Sequence, residues 1–387
     1  MNNSPDTSPT GTGSIGAPAR RVGDLPTPAL VVDERAFTRN LATMATVRPG
    51  TTMRPHVKAH KCTTLAGYQF DLGHRTFTCA TPREVVGMAE AGVGTDLLLA
   101  NETVDPIRLR AMSNVELATG IMVTVAVDSV ATIDAASSNG LRHVLIDVNV
   151  GLPRCGASPE SVGELTNRAL DAGLAVRGVM GYEGHLMALP DRSAKATKVR
   201  ESMSILVQCA DVVRDIAGDS ADIVSAGGTG TFDLYPDVDE VLARVNEVQA
   251  GSYALMDSHY GALGLPFEQA LFVVGTTISR SPDWSVIDVG LKSLGMDHGN
   301  PSIDGATVWF CSDEHTTFSL DSSENVGSGR AVPPLRALPR VGDRVFVTPA
   351  HVDPTIALHG DMWLVDDVSL GADAAILERW PVDLRGW

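Results

Sequence analysis

Lys58 lies among four basic or potentially basic side chains, Arg54, His56, His60 and Lys61, in the stretch MRPHVKAHKC at 53–62. A lysine amine titrates near pH 10.4 on its own, so it acts as a nucleophile only where burial or nearby positive charge favours the neutral form, at about that reference value. The crowding is the pattern expected of an amine that attacks a carbonyl. The plainer reading of such a cluster is a solvated basic turn; what favours reactivity is the chemistry available elsewhere in the chain.

Two further stretches, Ser225-Ala226-Gly227-Gly228-Thr229-Gly230-Thr231 and Gly251-Ser252, combine hydroxyl donors with glycines that let backbone N–H groups approach an anion closely. SAGGTGT alone also reads as a flexible turn. A lysine together with a phosphate cradle points to pyridoxal phosphate. The run DVNVGLPRCG at 147–156 carries Arg154, whose permanently charged five-donor head suits the cofactor's phenolate oxygen, though a surface arginine is the commoner fate. Tyr182-Glu183-Gly184-His185 offers an aromatic ring, a carboxylate and an imidazole for ring contact or acid–base work, or forms a plain polar loop. In PAHVDPT, alternation along an extended segment puts His351 and Asp353 on one side, where they can share a divalent cation. Asp313-Glu314-His315 is a weaker second candidate, better explained as a turn.

These residues need a scaffold that gathers them. Apolar, β-rich runs at 53–57, 76–80, 96–100, 121–127, 143–149, 176–182, 222–226 and 247–251 alternate with helix-length amphipathic stretches such as 82–91 and 191–217. Eight parallel βα units close a (β/α)8 TIM-type barrel, whose reactive residues stand at the C-terminal strand ends, where Lys58, Arg154, Tyr182 and the glycine-rich loops all fall. An open doubly wound sheet is the alternative. After about residue 270 strands follow one another without helices, which reads as an antiparallel β-domain, with an irregular Ser-, Gly- and Pro-rich loop at 321–339. The expected division is a disordered tail at 1–24, a barrel at 35–268 and the β-domain at 269–387.

Charge narrows the partners. Asp and Glu outnumber Lys and Arg 47 to 30, a net charge of −17, which argues against nucleic acid and anionic membranes and leaves any basic cluster local. No apolar run approaches the length of a membrane span. Five scattered cysteines without C-x-x-C spacing fit reduced thiols in the cytoplasm.

Taken together, TPALVVD, RPHVKAHK, DVNVGLPRCG, SAGGTGT, QAGSY, DVGLKSLGMD and PAHVDPT resemble the D-threonine aldolase and D-serine dehydratase family, metal-activated pyridoxal phosphate enzymes of the alanine racemase fold type (PLP fold type III). The resemblance runs from about Leu25 to the C-terminus. It implies that Lys58 carries the cofactor covalently, Arg154 contacts its ring with Tyr182 nearby, Gly228, Thr229, Gly251 and Ser252 hold the phosphate, and His351 with Asp353 bind Mn2+, Mg2+, Co2+ or Zn2+. It also implies that the strand at 25–34 joins the β-domain, and that a homodimer completes each site.

Asp353 favours the aldolase, because the dehydratases typically have Cys at that position. The resemblance thus implies cleavage of small D-3-hydroxy amino acids to glycine and an aldehyde. D-serine or 3-hydroxy-D-aspartate dehydration is the closest rival; a cofactor carrier and an amino-acid racemase stand further off. The family aldolases usually have a histidine six residues after the loop tyrosine, but this chain has Ala188 there. His185, the nearest histidine, or a metal-bound hydroxide is therefore the expected base.

Overall fold

The computed structural model describes residues 19–236, 238–321 and 332–387. The chain enters through β1 (Ala29–Asp33) and α1 (Glu34–Val47), where the Asp33 carboxylate caps the helix by accepting from Ala36 N at 2.9 Å. Parallel units then follow: α2 (Thr63–Asp71), β2 (Thr76–Cys79), α3 (Pro82–Glu90), β3 (Asp96–Leu99), α4 (Pro106–Thr119), β4 (Met122–Val127), α5 (Val130–Ser138), β5 (His143–Asp147), α6 (Val162–Asp171), β6 (Ala175–Met180), α7 (Arg192–Ala217), β7 (Ile223–Ala226) and β8 (Glu247–Val248). Local chemistry sets many of these boundaries. Thr81 and Asp105 cap α3 and α4, each followed by proline at the first helical position, and α4 stops at Gly120 in the left-handed region, φ 74°. The long helix begins at Arg192, with Asp191 outside it as its cap.

Seven of the eight expected runs form one parallel sheet in the order β2-β3-β4-β5-β6-β7-β8. Its central strands are buried throughout most of their length, which is why they read as continuous apolar runs rather than alternating ones. The first run, 53–57, departs from expectation and is not a regular strand. Met53 bridges Val248 and His56 bridges Thr78, while Arg54 N donates to Val248 O (2.9 Å), His56 N to Ala250 O (3.0 Å), and Thr78 N to Pro55 O (2.9 Å). This segment therefore fills the gap between β8 and β2 and closes the barrel. Pro55 supplies a carbonyl but has no N–H, so a continuous ladder cannot form through it.

After α8 (Ser258–Gly261) the chain builds its second sheet from β9 (Leu271–Arg280), β10 (Ser285–Ile287), β11 (Ala306–Cys311), β12 (Thr316–Leu320), β13 (Arg344–Val347), the short helix α9 (Val352–Ala357), β14 (Asp361–Val365) and β15 (Ile376–Pro381). The order is β11-β12-β10-β9-β1-β14-β15, with β13 also on β9. β1 thus joins this sheet. All its pairs are antiparallel except β1 with β14, which is parallel, so the sheet is mixed rather than wholly antiparallel. The fold is the α/β barrel plus C-terminal β-domain expected.

Two other expectations need amendment. Residues 1–18 of the expected tail lie outside the described residues, but Arg21 bridges Ala375, and Val22 and Leu25 are buried beneath the second sheet, so 19–24 are ordered. Most of the expected loop at 321–339, residues 322–331, also lies outside the described residues. The two parts share a core: Trp380 of β15 is fully buried, with ring centroids 5.3 Å from Phe37 of α1 and 5.5 Å from Tyr68 of α2. Among the described residues no helix is long and apolar enough to cross a membrane.

Candidate active site

Lys58 sits on a single 3-10 turn, Val57–Ala59, just past the irregular closing segment. Val57 and Ala59 are buried on either side, which anchors the turn, and the half-exposed Lys58 side chain lines the pocket at the barrel mouth. Its basic neighbours do not act as sequence reading expected. Arg54 is buried toward the strand starts, paired with Asp96 (3.2 Å) and Glu247 (2.7 Å), and these carboxylates raise its pKa against burial. Lys61 pairs with the buried Glu84. Burial lowers His60 to about 3 and holds His56 well below its ordinary range, so both rings are neutral at pH 7.

The charge that governs Lys58 is instead negative. Lys58 Nζ donates to Asp353 Oδ1 at 2.7 Å, and that carboxylate raises the lysine pKa against the opposing effect of burial. Burial alone would raise Asp353; the Lys58 ammonium and the His351 imidazole outweigh it and bring the carboxyl down to about 2. Positive neighbours therefore do not keep this amine neutral, because each is paired or uncharged.

The pocket has a volume of about 350 Å³ and is lined by Lys58, His56, Arg154, Tyr182, Tyr260, Gln249 and the glycine-rich loops. Gly227, with φ 79°, begins a turn that aligns Gly228 and Thr229 opposite Gly251 and Ser252. Gly227 N and Gly228 N are taken by Glu183 Oε2 and Thr231 Oγ1, both at 3.2 Å, so Thr229, Gly251 and Ser252 are the groups left to face an anion. A Cβ on Gly251 would lie 2.5 Å from His56 O, which only glycine avoids. Glu183 is fully buried and also accepts from Thr231 Oγ1 (2.7 Å) and Tyr235 OH (2.5 Å), so it braces the cradle instead of reaching the pocket.

Arg154 projects over Tyr182, its guanidinium carbon 5.4 Å from the ring centroid. Burial and Glu102 push the nearby Asp147 well above the usual carboxylate range, so it does little to cancel the arginine charge at pH 7. A lysine, a glycine–hydroxyl cradle and an arginine over an aromatic ring fit a phosphorylated pyridine aldehyde.

The β-domain meets the lining lysine through α9, which carries Asp353. His351 and Asp353 lie not on an extended segment but at the start of α9, with His351 as its cap residue. Helical geometry still brings them together, His351 Nε2 to Asp353 Oδ2 at 3.6 Å, and that carboxylate oxygen is buried without a hydrogen-bond partner. An orphaned carboxylate oxygen facing an imidazole nitrogen across that gap fits two ligands of one cation, each about 2.0–2.6 Å from it. Three residues missed by sequence reasoning gather here: Asp297 Oδ2 is 2.7 Å from His351 Nδ1, the His298 ring stacks on His351 at 4.0 Å, and His259 lies 4.4 Å beyond His298. Asp297 ends the quoted DVGLKSLGMD, yet nothing local in the sequence tied it to residue 351. The acidic turn at 313–315 pairs with Lys292 instead.

His185 is the expected site residue that the structure does not bring to the pocket. It is exposed on a 3-10 turn, packs beside Gly151, and lines an outer groove with Lys198 and Glu201. Ala188 is exposed as well.

A closed parallel barrel, with a β-domain leaning over the strand end that carries the lysine, defines the alanine racemase-like class. Residues 32–259 match the model of the alanine racemase N-terminal domain, and 270–365 match a serine dehydratase domain model. D-threonine aldolase of Arthrobacter sp. is 33% identical, over 96% of this chain and 95% of the relative; 3-hydroxy-D-aspartate aldolase of Paracoccus denitrificans (strain Pd 1222) is 29% identical, over 95% and 94%. The crystal structure of D-threonine aldolase from Filomicrobium marinum superposes with a TM-score of 0.83 at 32% identity, covering 96% of this chain and 99% of that one. The chain belongs to the D-threonine aldolase and D-serine dehydratase family, which depends on pyridoxal phosphate.

Proposed function

We propose that this protein is a carbon–carbon lyase that cleaves small D-3-hydroxy amino acids of the D-threonine type to glycine and an aldehyde, using pyridoxal phosphate and a divalent cation. The observation that carries this reading is the position of Asp353, with one oxygen on Lys58 Nζ and the other facing His351 Nε2. It puts the amine that would carry the cofactor and the pair that would bind the cation at one pocket mouth.

In this reading Thr229, Gly251 and Ser252, with Gly228 alongside, would hold the phosphate; Arg154 and Tyr182 would flank the ring; His351 and Asp353 would hold the cation. The bound groups supply an electron sink at Cα and a Lewis acid at the substrate's 3-hydroxyl. The chain's own residues would orient the substrate between these two ends, and loss of the Lys58–Asp353 hydrogen bond would free the amine. With His185 outside the pocket, a base at the His351–Asp353 end would have to take the 3-hydroxyl proton. Five free cysteines support a reducing, cytoplasmic setting, and the exposed Ile278 of β9, Trp284 just before β10, and Trp309 and Phe310 of the edge strand β11 support a homodimer.

The same parts permit dehydration, with Lys58 removing the Cα proton and the hydroxyl departing. Incubation with D-threonine, D-serine and 3-hydroxy-D-aspartate plus Mn2+ separates the two. Glycine and an aldehyde are expected; a keto acid and ammonia as the main products would replace the aldolase with a dehydratase. Chelation should stop the reaction, and restored Mn2+ should recover it in the parent but not in Asp353→Ala.

A further inference from the structure

The His351 nitrogen that does not face Asp353 is also engaged. Asp297 Oδ2 lies 2.7 Å from Nδ1, and an ionised carboxylate only accepts, so Nδ1 is the nitrogen that donates, and in the neutral ring that a cation requires the lone pair is on Nε2. That lone pair is the one 3.6 Å from the unpartnered Asp353 Oδ2. A second constraint acts on the ring plane: the His298 imidazole lies parallel to it, 8° between planes and 4.0 Å between centroids, and is backed in turn by His259. The backbone beneath is fixed as well, since Val352 N donates to Asp257 Oδ2 (3.0 Å) and Thr355 Oγ1 to His351 O (2.7 Å).

We propose that Asp297 is the positioning residue of the cation site, holding His351 in the tautomer and orientation that present Nε2 to the ion, with His298 stacked behind the ring. This rests on the reading of His351 and Asp353 as the cation's ligands. Carboxylates placed behind metal-binding histidines act in this way, and losing one weakens the site without removing it. Asp297, His298 and His351 also bring donor atoms within 4.8 Å of one another, so the ion could instead sit directly on those three. One observation favours positioning: direct binding there would leave the buried Asp353 oxygen without a partner.

The test is titration of Mn2+ into the pyridoxal phosphate-loaded protein, with free ion read by electron paramagnetic resonance, for the parent, Asp297→Ala, Asp297→Asn, Asp353→Ala and His351→Ala. Asp297→Ala should weaken Mn2+ binding roughly 10–100-fold, with the metal-free melting temperature and the visible cofactor absorbance unchanged. Asn keeps an oxygen that accepts from Nδ1–H, so Asp297→Asn should recover much of the lost affinity. Parent-like binding in Asp297→Ala would overturn the positioning role. Loss of binding in Asp297→Ala with binding retained in Asp353→Ala would overturn it in favour of direct ligation. Parent-like binding in both Asp353→Ala and His351→Ala would instead sink the underlying assignment of the ligands, a separate outcome.

Discussion

Asp353 Oδ1 accepts a 2.7 Å hydrogen bond from Lys58 Nζ, although 295 positions separate the two residues in the chain. The carboxylate belongs to the β-domain and the amine to the barrel. The bond favours the charged form of the lysine, the opposite of what a cluster of basic neighbours suggests. One side chain thus contacts both the amine and the His351 imidazole.

Asp353→Ala removes the group that raises Lys58 and leaves burial, which acts downward. In chelator-treated protein, pyridoxal phosphate uptake needs the neutral amine, so its pH midpoint, followed by visible absorbance, should move down in the variant. An unchanged or raised midpoint would remove Asp353 as the controlling charge. The pair also has a stability signature. A raised lysine contributes below its unfolded value, about 10.4, and that contribution is lost as pH rises through the folded value. Asp353 contributes above its unfolded value, near 3.9, and that is lost as pH falls toward its folded value of about 2. Denaturant melts of the chelator-treated parent should show this contribution between those limits, and melts of Asp353→Ala should lack it.

Lys58→Ala should abolish the visible absorbance of the bound cofactor, whereas Lys61→Ala should retain it. Lys61 has φ 48° and its ammonium is held by buried Glu84 away from the pocket lining. Borohydride trapping followed by peptide mapping checks this; label on Lys61 would move the reactive amine by three residues.

His185→Ala should leave turnover within a few-fold of the parent, with an unshifted pH profile, because the ring lies on the outer side of Gly151. A loss of several orders of magnitude in kcat, rescued by added imidazole, would return His185 to the site.

Trp380→Ala empties a fully buried site between β15, α1 and α2. The expected cost is about 3–5 kcal/mol, read as a drop in the denaturation midpoint. Because Trp380 joins the β-domain to the barrel, the variant should also weaken cofactor and cation binding together; a purely local loss of stability would mean the two parts hold their register by other contacts.

Much of the frame was legible in the sequence because its signals are local. Barrel strands buried on both faces produce continuous apolar runs, Thr81-Pro82 and Asp105-Pro106 mark helix starts, and glycines at 227–230 and 251 mark close backbone approach. The closing segment was legible in position but not in form, because Pro55 breaks the ladder that its neighbours would otherwise extend.

The tertiary structure alone decided which charges meet. Arg54 and Lys61 are matched to Asp96, Glu247 and Glu84, and His56 and His60 are buried neutral, so the basic cluster exerts little of its apparent charge on Lys58. His185, close to Tyr182 in sequence, turns away from the pocket, while Asp297 and His298 arrive from a distant loop. Motifs record residue type and spacing within one segment. The field at Lys58 depends on the direction and burial of side chains carried in by other segments, and those are fixed only when the barrel closes and the β-domain packs across its mouth.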